Sequence, residues 1–243
     1  MQSSNPVLSD KALKRLAVFE ASDTMSVSGS VMKTAVSLVV LLVAAVVGWN
    51  APAIVGYETL GWWLMGVSIA ALVVGMVIIF RRPNPVLVLL YAALEGLLLG
   101  VVSRMFEMAF SGIVLQAILL TLATTLGMVV LFATRTVRVT EKLRSVILIA
   151  TVGALLYYLF EFIVGLFNPA FITVISGGTT GVVIALLIVI IAALNLLLDF
   201  DFIDRGVAQK LPKQVEWYAA FGLMVTLIWL YVSILRLLGR SRS

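Results

Sequence analysis

The chain has 243 residues, of which 62% are hydrophobic and only 12% are charged, and its formal net charge is +5. A soluble domain carries roughly 25% charged residues, so this composition indicates an integral membrane protein. Cysteine and histidine are both absent from the sequence, which excludes disulfides, thiolate chemistry, His-ligated metals and His-assisted nucleophiles. The basic residues flank apolar runs and are topology signals rather than a nucleic-acid footprint, so nucleic acid is not expected to bind. No cofactor is expected either.

Seven apolar runs follow a polar N-terminal segment, residues 1–33, which we predict to be a cytoplasmic tail. That segment lacks the short apolar core of a cleavable signal, so the first run is expected to remain as a membrane anchor. Each run is close to the ~20 residues that a spanning helix needs. The sequence therefore predicts an all-α integral membrane protein, a single seven-transmembrane-helix bundle over residues 34–243. The predicted spans are Thr34–Trp49, Gly61–Phe80, Pro85–Ser103, Ile113–Thr134, Ser145–Phe167, Thr179–Ile203 and Val215–Leu238.

Lysines and arginines are unevenly distributed among the connections, and this distribution sets the direction of insertion. The tail and the second, fourth and sixth connections are basic, whereas the opposite connections contain only Arg104. We therefore predict a multi-pass protein with a cytoplasmic N-terminus. Seven full crossings would place Arg236, Arg240 and Arg242 outside, against this rule, and the alternative is a last helix that re-enters and returns. We expect a full crossing because the last run is long enough.

Five carboxylic acids are predicted to lie within the spans or at their edges. Glu95 falls near the middle of the third run, and Glu161 about two-thirds along the fifth. Asp199 and Asp201 fall at the inner end of the sixth run, and Glu216 at the inner start of the seventh. Acids in such positions cost free energy and commonly mark proton or ion paths. We therefore predict that all five bind protons or cations, with Asp199, Asp201 and Glu216 as a transient Ca²⁺ site.

Two of these acids are expected to have no fixed countercharge, since the predicted spans contain one arginine, near the end of the seventh, and no lysine. Without a cation, Glu95 and Glu161 would take up a proton or bind a mobile cation. Tyr91 precedes Glu95 by four residues. Tyr157 and Tyr158 precede Glu161 by four and three residues, so phenol and carboxyl share a helix face and can hydrogen-bond. The alternative is that each acid is satisfied by packing against a neighbouring helix.

The sixth run carries its polar residues on different faces. Asn195 and Asp199 are four residues apart and share a face, whereas Asp199 and Asp201 are about 200° apart around the helix. One aspartate is therefore expected to face the bundle and the other the cytoplasmic mouth. Asp201 can instead form an ordinary ion pair with Arg205, four residues later.

Gly96 and Gly100 form a Gly-x-x-x-Gly motif directly after Glu95. Small residues at this spacing allow the backbone of another helix to approach closely. The motif therefore indicates that this face of the third span lies in the interior of the bundle.

Four features of the sequence occur together. They are the seven-span layout, the Asp-bearing end of the sixth run (Leu196-Leu-Leu-Asp-Phe-Asp-Phe-Ile-Asp204), the basic connector after it, and the C-terminal segment Ile234-Leu-Arg-Leu-Leu-Gly239. Together they resemble the Bax inhibitor-1 (TMBIM-like) family of membrane proteins, in its bacterial branch. The segment Tyr91–Gly100 resembles the third helix of the YccA-type subgroup.

The resemblance implies a bundle whose last helix is surrounded by the other six. It also implies a pH-sensitive calcium leak in the bacterial plasma membrane, gated by paired acids on the sixth and seventh helices. The sixth-helix acid corresponds to Asp199 or Asp201. Counting back from the C-terminal motif, Thr226 occupies the position of the seventh-helix acid, and the family's basic neighbour in the second helix is missing. A rearranged pair, Asp199 or Asp201 with Glu216, is then the arrangement to consider.

Three classes of function can be compared for such a bundle. The first is a cation leak or channel, for Ca²⁺ or H⁺, in which loss of a carboxyl proton adds charge, attracts a cation and loosens the closed packing. The second is a non-transporting membrane regulator that binds a membrane protease or a stress-response partner through its tail and basic turns. An enzyme is not expected, because an intramembrane aspartyl protease needs acids on two facing spans, and serine and zinc types normally need histidine.

Overall fold

The computed structural model describes residues 24–80, 84–167 and 177–242, and these residues form eight helices. Seven of the eight are long and apolar enough to cross a membrane; the exception is the short second helix. The helices are α1 (Val27–Trp49), α2 (Ala51–Val55), α3 (Tyr57–Phe80), α4 (Pro85–Ala109), α5 (Ile113–Ala133), α6 (Glu141–Phe167), α7 (Gly178–Ala208) and α8 (Val215–Arg242). The predicted class, an all-helical membrane bundle with seven spans, is confirmed.

Each predicted span corresponds to one long helix, but some boundaries differ. Ser26 caps the start of α1: its backbone is extended, and its hydroxyl oxygen accepts a hydrogen bond from the Gly29 N–H at 3.0 Å. The helix therefore includes residues 27–33, which the sequence pattern assigned to the tail. Residues 1–23 of that tail lie outside the described residues, as do Arg81 and Arg82 of the basic second connection.

The last helix, α8, lies at the centre of the bundle. It packs against α7, α1, α5 and α4, and its buried residues recur from Glu216 to Gly239. In contrast, α3 packs mainly on α4 and α6 mainly on α7. The outer faces of these two helices expose large apolar side chains such as Trp62 and Phe162, as expected for surfaces that face lipid. The last helix is central, as expected, but it packs extensively against four of the other long helices rather than against all six.

The helices α1 and α4 pack backbone against backbone. A Cβ added to Gly96 or to Gly100 would overlap main-chain atoms of α1, and one added to Gly48 would overlap the main chain of α4 at Leu97. Glycine at these three positions permits an approach that any side chain would prevent. The interior role predicted for the Gly-x-x-x-Gly motif is confirmed, with α1 as the partner helix.

The two ends of the bundle can be told apart by the segments that meet there. At the near end, where α1 begins and the α7–α8 connector lies, the Met25 N–H donates to the carbonyl oxygen of Leu211 at 2.7 Å. At the far end, Arg104 donates to the carbonyl oxygen of Trp49 at 2.7 Å, and Arg242 donates to that of Ser111 at 3.1 Å. Because α8 runs unbroken from the near end to the far end, it has the form expected for a full crossing and not that of a re-entrant helix.

Candidate functional site

Asp199 is turned into the bundle, between α7 and α8. Its carboxyl lies within hydrogen-bonding reach of the Thr226 side chain, and its Oδ1 would be 3.7 Å from a Cβ placed on Gly222. The Thr226 hydroxyl itself donates to the carbonyl oxygen of Gly222 at 3.2 Å. Within the described residues, Asp199 Oδ2 is buried and has no hydrogen-bond partner. Buried polar atoms are usually hydrogen-bonded, so this oxygen is an exception that needs an explanation.

The depth of Asp199 in the membrane follows from the length of α7. The predicted span ended at Ile203, which placed the aspartate at the inner end of the helix. The observed helix continues to Ala208, so Asp199 lies about 14 Å before its last residue. Asp199 is therefore inside the helical span and not at its edge.

Asp201 points in a different direction and is neutralised. Its Oδ2 lies 2.6 Å from a guanidinium nitrogen of Arg144 on α6 and 2.7 Å from one of Arg205. The ordinary ion pair with Arg205 is thus present, with a second arginine added. Of the two aspartates, Asp199 faces the bundle. Asp201 links α7 to α6 through its ion pair with Arg144, close to the end of the bundle where the α7–α8 connector lies.

Asn195 links helices rather than contributing to a carboxyl pair. Its side-chain NH₂ donates to the Thr151 hydroxyl of α6 at 2.8 Å and to the carbonyl oxygen of Ile191 at 2.9 Å. The residue lies one turn from Asp199, as its spacing predicted. It therefore positions α7 against α6 beside the buried aspartate.

Glu216 is fully buried, and its partners come from α1. Its Oε2 forms an ion pair with Lys33, and its Oε1 accepts hydrogen bonds from the Ser26 N–H at 2.8 Å and the Ser26 hydroxyl at 3.1 Å. Gly29 leaves the space for this carboxylate, since a Cβ there would overlap it. The predicted pairing of Glu216 with an aspartate of α7 is wrong, because α1 supplies the donors that both carboxylate oxygens need.

Glu161 was expected to lack a countercharge, and this prediction is wrong. Its Oε1 accepts hydrogen bonds from Arg240 at 2.9 Å and from the Tyr157 hydroxyl at 2.6 Å, and its Oε2 lies 3.7 Å from Arg236. Tyr158 lies under the Arg236 guanidinium, with 4.9 Å between the guanidinium carbon and the ring centroid. The two tyrosines do share the face of Glu161, as predicted. The arginines could not be foreseen because they reach α6 from the far end of α8.

Glu95 retains the environment that its sequence predicted. It is half-buried on α4, with the Tyr91 hydroxyl within hydrogen-bonding reach. The Tyr91 ring in turn packs edge-on against Phe221 of α8, with ring centroids 5.0 Å apart. In the parts of the chain that the structure describes, neither Glu95 nor Asp199 takes part in an ion pair.

The predicted Ca²⁺ site of Asp199, Asp201 and Glu216 does not form as a cluster. The three acids have separate partners on α8, α6 and α1. Over residues 24–80, 84–167 and 177–242, no group of three or more acidic side chains is placed to hold a metal ion. Since Ca²⁺ takes six to eight oxygen ligands, the arrangement does not provide a resident calcium site.

Two further contacts were missed from the sequence. Lys33 belongs to α1 and not to a polar tail, and Ser26 followed by a regular apolar pattern is the signal of a helix start that includes it. Glu107 caps the start of α5 by accepting hydrogen bonds from the N–H groups of Gly112 at 2.6 Å and Val114 at 3.1 Å, a contact that was not predicted from the sequence.

A family profile described as Bax inhibitor 1 like matches residues 5–243, which includes all seven spans and every acid discussed above. A search of curated proteins gave no significant match.

Proposed function

From the premise that the chain belongs to the Bax inhibitor 1 like family, we propose that it is a pH-sensitive cation leak, for Ca²⁺ or H⁺, controlled by protonation of Asp199. The observation that supports this proposal is the buried Asp199 Oδ2, which has no hydrogen-bond partner among the described residues. A carboxyl in a membrane span with neither countercharge nor full hydrogen bonding either carries a proton or meets a mobile cation.

The proposed closed state has a protonated Asp199 beside Thr226. Thr226 stands where the resemblance placed a second acid, so a carboxyl–hydroxyl contact replaces the expected pair of carboxyls. Loss of the proton leaves a negative charge beside Gly222 and Thr226, which is costly inside the bundle unless a cation enters. We call the contact between α7 and α8 at Asp199, Gly222 and Thr226 the Asp199–Thr226 seam. Gly222 has no side chain to fill this seam, so the packing between the two helices can loosen there.

A second buried atom supports the same route. Trp229 Nε1 also lacks a hydrogen-bond partner within the described residues. It belongs to α8, three residues after Thr226 and about 4.5 Å further along the helix, on a neighbouring part of the same face. Water that accompanies a cation through this seam would satisfy the indole N–H.

The cellular setting is part of the proposal. We place the protein in the bacterial plasma membrane, in the YccA-type branch suggested by Tyr91–Gly100, with the near end of the bundle in the cytoplasm. The basic residues of the near-end connections support this orientation. We propose no enzymatic activity for it.

The test is Ca²⁺ flux in proteoliposomes over a range of pH, with Asp199→Asn compared with Asp204→Asn. Asp204 is an exposed acid on the same helix and serves as the matched control. We expect Asp199→Asn to remove the pH dependence of the flux, since it keeps the shape of the side chain but cannot ionise. Asp204→Asn should retain it. Equal pH profiles for both variants and the wild type would show that Asp199 is not the controlling group.

The alternative function is a regulator that binds a membrane protease or stress-response partner. The near end of the bundle offers a surface for such binding. Residues 24–26 and the exposed basic α7–α8 connector lie together at the near end. Wild-type protein that conducts no better than empty liposomes, but co-purifies with a membrane protease, would exclude the leak and establish the regulator.

A further inference from the structure

The bundle contains two helix pairs that meet along α8. The first is α1 with α4, which are held in backbone contact by Gly48, Gly96 and Gly100. The second is the antiparallel pair of α7 and α8, whose extensive contact includes the Asp199–Thr226 seam. What joins these pairs at the near end therefore decides how freely α8 can move relative to α1.

A short segment at the start of the described chain makes this junction through its backbone. Thr24 forms an isolated antiparallel bridge with Pro212, and the Met25 N–H donates to the Leu211 carbonyl oxygen. The Met25 side chain is only 3% exposed and packs on Gly206, where a Cβ would collide with its sulfur. The segment thus closes over the α7–α8 connector.

Side chains of the same region complete the junction. Besides its ion pair with Glu216, Lys33 donates to the Lys213 carbonyl oxygen at 3.3 Å and lies over the Trp217 ring, 5.4 Å from its centroid. Ser26 gives Glu216 two further hydrogen bonds. We call residues Thr24–Lys33, with these contacts, the clasp.

We propose that the clasp is an inhibitory contact that holds the start of α8 against α1 and so keeps the Asp199–Thr226 seam closed. The proposal rests on the leak function proposed above. Glu216, Gly222 and Thr226 lie on one unbroken helix, with Gly222 about 9 Å and Thr226 about 15 Å beyond Glu216. Movement of α8 at Glu216 is therefore carried to the seam.

The clasp is suited to release as a unit. Glu216 is fully buried, so its charge is tolerated only while Lys33 and Ser26 remain in place.

The first experiment measures opening of the clasp without reference to ion flux. Because the chain has no cysteine, Met25→Cys provides a single labelling site. Gly29→Ala, made in that background, should label several-fold faster with a maleimide, since its Cβ displaces the Glu216 carboxylate. Gly66→Ala is the matched control: it makes the same change within a helix, with nothing within 4 Å of the new methyl. Equal labelling rates of the two variants would overturn the proposal that Gly29 and Glu216 keep the clasp closed.

The second experiment measures flux in proteoliposomes. Gly29→Ala and Glu216→Gln, each without the labelling cysteine, should raise Ca²⁺ flux several-fold at a pH where the wild type is closed, and Gly66→Ala should not. A disulfide between Thr24→Cys and Pro212→Cys, residues bridged in the structure, should lower flux until a reductant is added. If the wild type conducts, faster labelling of Gly29→Ala without higher Ca²⁺ flux from that variant would overturn the inhibitory role.

The two proposals fail in different ways. Faster labelling of Gly29→Ala, with no flux above empty liposomes from the wild type or any clasp variant, would refute the leak function and leave the clasp as a releasable contact. A structural role alone predicts instead that Gly29→Ala and Glu216→Gln lose folded protein and gain no flux.

Discussion

At the scale of single residues, the role of each acid depends on whether a cation reaches it from another helix. Glu161, Asp201 and Glu216 are each neutralised by a residue distant in sequence. Glu95 and Asp199 have no such partner within the described residues, and both lie close to residues that contact or belong to α8. We therefore interpret the first three acids as contacts that hold helices together, and the last two as the groups that the proposed leak would use.

Removal of the Glu161 carboxylate should destabilise the far end of the bundle. Glu161→Gln removes the negative charge that Arg240 and Arg236 contact, and we expect a loss of ~2 kcal/mol in the free energy of unfolding, within the range typical of a hydrogen bond to a charged group. Thermal unfolding in detergent, followed by tryptophan fluorescence, measures the effect. Glu141→Gln on the same helix is the control, because the Glu141 side chain is 85% exposed. Equal melting temperatures would show that this ion pair contributes nothing to stability.

At the scale of helices, the contact between α1 and α4 is the least tolerant of change. The atoms that a new methyl group would meet there are main-chain atoms, which cannot move aside as a side-chain end can. Lipid offers no hydrophobic driving force to bring helices together, so membrane helices associate largely through van der Waals packing. Small residues allow the closest packing, because they let the two backbones approach.

Gly100→Ala and Gly48→Ala should each therefore be destabilising by ~3 kcal/mol, at the upper end of overpacking costs. Gly127→Ala on α5 is the control, since nothing lies within 4 Å of its new methyl, and the better helix propensity of alanine should leave stability equal or higher by ~1 kcal/mol. The fraction of monodisperse protein that remains after heating in detergent compares the three variants. Similar fractions of monodisperse protein from all three variants would contradict the close packing of α1 against α4.

At the scale of the whole molecule, the path of α8 relates the two faces of the membrane. It begins beside the clasp and ends among the loops of the far end, where Arg242 also donates to the Gln116 side-chain oxygen at 2.8 Å. The terminal arginines are thus accepted at the far end because Glu161 and oxygen acceptors of other helices meet them.

Cysteines placed at the two ends should react from opposite sides. We expect Gln209→Cys, exposed in the near-end connector, to react with an impermeant maleimide only when the cytoplasmic face is open to it. Ser241→Cys, exposed in the last turn of α8, should react only from the other face. Chains with both cysteines blocked beforehand give the background. Labelling of both positions from one face would restore the re-entrant alternative.

The fold was predictable from the sequence because lipid allows few structures. A span must be an apolar helix that satisfies its own backbone, so seven apolar runs gave seven helices in the right order. The boundaries moved where other effects decide them. Ser26 caps α1 early, and α7 continues beyond the apolar run through polar residues such as Asp204 and Arg205.

The candidate site was predictable only in its local contacts. Helical periodicity fixes which residues four apart can touch, and the pairs Tyr157–Glu161, Asp201–Arg205 and Tyr91–Glu95 are all present. Contacts between helices depend on packing, which one sequence does not specify. The partners of Glu161 and Glu216 were missed for this reason, and with them the ionic contacts that tie α8 to α6 and α1.

The length of α7 has an electrical consequence. Its 31 residues span about 46 Å, against a hydrocarbon core of about 30 Å. If α7 is centred on the core, Asp199 sits about 6 Å beneath the near boundary and about 24 Å from the far one. An ion entering from the near side sheds its hydration over a short distance, whereas one from the far side must do so over most of the core. If the proposed leak operates, equal voltages of opposite sign would then drive unequal currents through the protein.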